Sequence, residues 1–107
     1  MRRLKRLGPL PEGVDPATAP ARFIAFVYKY IYQDYRLDAA GRAAYTAMTT
    51  MEQAYFRALF DATCALVEYG EPRSDPGLHQ RALKESLAWL DAETIYRLHS
   101  AALYVTR

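Results

Sequence analysis

The stretch Arg22–Leu37, RFIAFVYKYIYQDYRL, decides the fold because two periods run through it. Phe26, Tyr28, Tyr30 and Tyr32 alternate as they would on a strand, and aromatic side chains favour strands. Against that, the stretch continues for about sixteen residues without a turn signal, and the chain offers no second convincing strand to pair with it. Read as a helix, it places Phe23, Val27, Tyr30, Ile31 and Asp34 on one side, with Ile24, Tyr28, Tyr32 and Tyr35 extending the apolar surface round the other. An apolar stripe this broad is expected to be buried on two sides.

Upstream, Gly8–Pro20, GPLPEGVDPATAP, holds four prolines and two glycines, which oppose regular hydrogen-bonded structure. Residues 1–18 therefore read as an extended basic N-terminal arm and residues 19–107 as a single helical domain. Pro20 suits the first turn of the aromatic helix, with Thr18 or Ala19 at its cap. Downstream, Asp38 can cap a helix of about thirty residues ending at Gly70, along which Tyr45, Met48, Met51, Tyr55, Leu59, Ala62, Leu66 and Tyr69 recur at helical spacing. Thr49 and Glu52 have capping-box spacing, so this helix can instead break near Thr49 and Thr50. Glu71–Gly77, EPRSDPG, reads as a turn. A helix from about Asp75 to Leu90 and another capped by Asp91 complete the chain. The expected fold is all-α, a small bundle of four or five helices, with no internal repeat.

Composition narrows the function by exclusion. A 107-residue chain that is 51 % apolar and 24 % charged can bury one core, and it lacks the composition of a disordered protein. The net charge is unevenly placed: residues 1–22 hold five cations against two carboxylates, a net +3, whereas the rest holds nine against ten, a net −1. The basicity thus belongs to the arm. Cys64 is the single cysteine, so no intrachain disulfide can form. MRRLKRL is followed by Gly8, Pro9, Pro11, Glu12 and Asp15 where a secretory leader would need an apolar run, and no stretch has the length of a membrane span. A cytoplasmic location without membrane association is expected.

No metal-ligand cluster, phosphate-cradling glycine loop or nucleophile with an evident base stands out in the sequence. His79 and His99 lie three residues after Pro76 and Tyr96, which does not match the Glu-x-x-His pattern of carboxylate-bridged metal sites. His79 is expected in the first turn of its helix, and His99 at a cap or exposed. Asp61 and Glu68 flank Cys64 and would raise its pKa, as befits a buried structural cysteine. The carboxylates Glu52, Asp61 and Glu68 share one long helix with no partner in a recognisable catalytic motif.

The tyrosines point to contacts with other molecules: nine large flat side chains with polar tips suit protein interfaces and base stacking. The expected function is a non-enzymatic helical interaction subunit, with no cofactor. It would self-associate as a homo-oligomer, or dock into a larger protein assembly, through Phe23, Phe26, Tyr28, Tyr30, Tyr32 and Tyr35. The alternative is a nucleic-acid-binding accessory protein. Arg2, Arg3, Lys5 and Arg6 would neutralise phosphates, and Asp91–Ser100 would serve as a recognition helix presenting Thr94, Arg97 and His99. Asp91 and Glu93 place negative charge at the end of that helix which would approach the bases.

Overall fold

A computed structural model describes residues 2–32, 37–69 and 75–106, the side chains of Arg2 and Arg3 excepted. The elements are helices α1 (Arg2–Leu7), α2 (Ala19–Tyr32), α3 (Ala39–Thr46), α4 (Thr50–Tyr69), α5 (Pro76–Ser86) and α6 (Ala92–Thr106). The described residues contain no strand, and the aromatic stretch is helical through Tyr32. Tyr35, the expected cap Gly70 and the first part of the turn after it lie outside the described residues.

The caps explain where the helices start. Asp38 Oδ1 accepts the Gly41 N–H at 2.7 Å, opening α3. In place of one helix of about thirty residues, the alternative break at Thr49 is present: the Glu52 N–H donates to Thr49 Oγ1 at 3.0 Å, and the Thr49 N–H donates to Glu52 Oε1 at 3.4 Å. This reciprocal box satisfies donors that the first turn of α4 would leave orphaned. Asp75 accepts from Leu78 N–H to open α5, and Asp91 from Thr94 N–H to open α6. Helix α5 ends at Ser86, short of the expected Leu90. Leu87 and Leu90 are both buried, and Lys84 Nζ donates to the Leu90 carbonyl at 2.8 Å, which pins the turn into α6.

The core lies where α2, α4 and α6 meet, closed at one end by α5 and α1, with α3 resting on α2. Phe23, Phe56, Leu59, Phe60, Leu83 and Leu98 fill it. Arg22 of α2 ties three helices together: its guanidinium donates to both Glu52 oxygens, at 2.9 and 3.1 Å, and to the Ala47 carbonyl at the end of α3. Among the described residues no helix is long and apolar enough to cross a membrane.

The N-terminal segment differs from the expected extended arm. Arg2–Leu7 is helical and Leu4 is 1 % exposed, packed into the core beside α4 and α5. Leu4 and Leu7, three apart, share one side of this turn while Lys5 and Arg6 stay exposed. The concentration of charge hid that amphipathic spacing, and it accounts for six helices among the described residues instead of four or five. Beyond Leu7 the non-helical reading holds: Gly13, at φ 89°, sits third in a turn closed by Val14 N–H donating to the Pro11 carbonyl.

Candidate functional site

Helix α2 is covered on three sides, by α3, α4 and α6, so its aromatic residues divide between core and surface. Phe23 is fully buried, stacked on Phe56 at 5.2 Å between ring centroids and touching Trp89 at 5.9 Å. Phe26, also buried, stacks against Tyr30 and Tyr45. Both were expected at an interface; their rings instead join α2 to α3 and α4. Tyr30 is 45 % exposed, with the Arg57 guanidinium 5.1 Å from its ring centroid and Phe60 meeting it edge-on. Tyr35 lies outside the described residues.

Tyr28 and Tyr32, four apart and half-buried, meet edge-on at 5.5 Å. Tyr32 then packs at 5.2 Å on Tyr104 of α6, which is 49 % exposed. This aromatic seam along α2 and α6 is the candidate functional site. It runs on into Leu103 and Val105, exposed by 45 % and 47 %, so the last turn of α6 carries apolar side chains round most of its circumference. Tyr96, seven residues before Leu103, extends the same face and is 62 % exposed. The sequence reading placed the interface on α2 alone. Leu103, Tyr104 and Val105 form an apolar run against a helical period that needs a single stripe, and that run was the available signal.

At its other end the seam opens on a groove of about 430 Å³ lined by Ile24, Tyr28, Leu37, Asp38, Asp91 and Arg97. Tyr28 and Arg97, assigned from sequence to two different functions, border the same space. Asp38 and Asp91 each direct Oδ1 to a backbone N–H of the helix they cap. The hydrogen bonds from Thr94 hold the Asp91 carboxyl below its ordinary range. Arg97 donates to Glu93 at 3.0 Å.

The basic candidates separate. Lys5 and Arg6 are exposed on α1, and Arg97 on α6; the side chains of Arg2 and Arg3 lie outside those described. Thr94 and His99, expected to face DNA beside Arg97, are 8 % and 3 % exposed, so α6 turns two of those three residues inward. His79 and His99, unrelated in the sequence reading, meet between α5 and α6 with His79 Nδ1 3.3 Å from His99 Nε2. His79 stands four before Leu83 and His99 four after Ile95, so each continues the buried face of its helix, and that spacing was legible. Cys64 is half-buried; desolvation, with Asp61 and Glu68 adding to it, pushes its thiol up to about 11. Among the described residues no three metal-ligating side chains gather. Comparison with models of known protein families, with curated proteins and with solved structures finds no match to this chain.

Proposed function

We propose that this chain is a non-enzymatic helical interaction module that pairs with a second copy through the aromatic seam of α2 and α6. The observation that carries the reading is the continuity of Tyr28, Tyr32 and Tyr104 with exposed Leu103 and Val105. An isologous interface sets one patch against itself, so a strongly charged patch would repel its own copy. The described residues of this one are aromatic and aliphatic, and Arg97, which lines the groove at its Tyr28 end, is paired with Glu93. Tyrosine supplies large contact area at low conformational cost, which favours it at such surfaces.

The chemistry of the polar residues supports the non-enzymatic part. Burial, with Asp61 and Glu68 adding to it, acts against thiolate formation at Cys64, Glu52 is held by Arg22, and Asp61 pairs with Arg57. Glu52 and Asp61 thus have structural partners in place of a reacting group.

Light scattering across a dilution series tests the reading. The expected result is a dimer at micromolar concentration, indifferent to added DNA or RNA. Replacing Tyr104 with alanine should weaken it by about 2 kcal/mol, roughly thirtyfold in Kd, as removal of a central aromatic anchor does. A chain monomeric at every concentration would refute it. Mass gained only with nucleic acid, and lost as salt rises, would transfer function to the cations of α1, where Lys5 and Arg6 are exposed.

A further inference from the structure

His79 of α5 and His99 of α6 are each 3 % exposed, and their facing nitrogens, Nδ1 and Nε2, are 3.3 Å apart. Two neutral imidazoles satisfy this contact, one donating and the other accepting. In either tautomer His79 Nε2 is left buried without a partner among the described residues. A proton added to His79 would therefore create a buried cation with an N–H that reaches no acceptor, and two protonated rings would set like charges side by side. Among the described residues, the charged groups on the surrounding elements are engaged elsewhere or exposed, apart from Glu68, which is half-buried near Cys64. Asp75 caps α5, Glu93 pairs with Arg97 on α6, Asp61 pairs with Arg57 on α4, and Glu52 is held by Arg22. Glu68 is felt by Cys64, Lys84 donates to the Leu90 carbonyl, and Arg81, Glu85, Lys5 and Arg6 are exposed.

We propose that the His79–His99 pair is an acid-labile joint between α5 and α6, closed by two neutral imidazoles at neutral pH and opened when they are protonated. The placement gives the joint leverage, because α5 buries just His79, Ala82 and Leu83. Releasing α5 also removes one of the two helices, α4 and α5, on which α1 packs. Acid would thereby weaken the seating of the basic N-terminal helix while its contact with α4 remains.

The sign follows from linkage. Burial, and then the neighbouring ring of His79, lower the His99 pKa in the folded protein, whereas an unfolded histidine titrates near ~6.5. Below that value the open form binds more protons than the closed one. Stability is therefore full above about pH 6.5 and falls below it, by up to about tenfold in the folding constant per pH unit for each excluded proton.

Trp89, the chain's single tryptophan, sits in the turn between α5 and α6 and reports on the joint by fluorescence. Urea unfolding of the full chain at pH 7.5 and 5.5 should show a folding constant that drops about tenfold or more in acid. The doubly substituted His79→Gln/His99→Gln chain should show a much shallower drop. Nuclear magnetic resonance titration of the wild-type imidazole C–H signals supplies a readout that does not depend on the variant folding: His99 should take up its proton below the ordinary histidine value, because burial and the neighbouring ring oppose its charge. Equal pH slopes for the two chains, or a His99 that titrates in the folded protein at or above the ordinary value, would overturn the proposal.

Discussion

Gly8 cannot become alanine without moving the backbone, because a Cβ there would run into the Ser86 carbonyl at the end of α5. Its own carbonyl accepts the Trp89 indole N–H at 2.8 Å and lies 3.0 Å from the Tyr55 hydroxyl. Burial pushes the Tyr55 phenol up to about 12, which keeps its proton available for that bond. Gly8→Ala should thus cost about 1–3 kcal/mol, the range for overpacking a closed site, read as a lower melting temperature. An unchanged melting temperature would mean that the contact relaxes freely. Local reading saw a helix breaker in a Pro/Gly-rich segment, and residues 8–18 are indeed non-helical. It could not see that the donors to Gly8 lie 47 and 81 positions away.

At the scale of elements, the starts of α3, α4, α5 and α6 are set by short-range chemistry; Asp38, Thr49 and Asp91 were readable as caps and Asp75 as the start of its helix. Glu52 has two roles: it closes the capping box of α4 and holds the Arg22 guanidinium of α2. Thr49→Ala should cost about 1 kcal/mol, the ordinary worth of an N-cap. Glu52→Ala should cost about 2 kcal/mol, because it removes the box and leaves Arg22 without its carboxylate. Since the two residues share one set of bonds, the double variant should be less destabilised than the sum of the singles; urea midpoints measure this, and strict additivity would contradict the box. The break at Thr49 was visible as a spacing; that Glu52 would also receive the Arg22 guanidinium from α2 was not.

For the whole molecule, the N-terminal helix belongs to the core and cannot be treated as a detachable tail. Leu4 is as buried as Phe60 and Leu90, each 1 % exposed. Leu4→Ala should cost about 2–5 kcal/mol, as large-to-small changes in closed cores do, while Lys5→Ala and Arg6→Ala on the exposed side should stay within about 0.5 kcal/mol of wild type. Thermal unfolding of the three variants separates these outcomes, and three equal melting temperatures would show that α1 does not contribute to the fold. The molecule is 37 × 30 × 21 Å, so across its thinnest dimension it is about two helix diameters deep. At the end of α6, Leu103, Tyr104 and Val105 are each about half exposed.

Apolar period, caps and breakers act over three or four residues, so the sequence alone established that the chain is helical, where most helices begin, and that α2 must be covered on more than one side. It also placed Asp61 and Glu68 about one helical turn from Cys64, where they add to the burial that raises its thiol. Three features required the packed molecule: the burial of Phe23 and Phe26 beneath the tyrosine seam, the insertion of Leu4 into the core, and the meeting of His79 with His99. Each depends on which helix faces which. That choice is made by the fit of side chains between elements distant in sequence, and no local spacing encodes it.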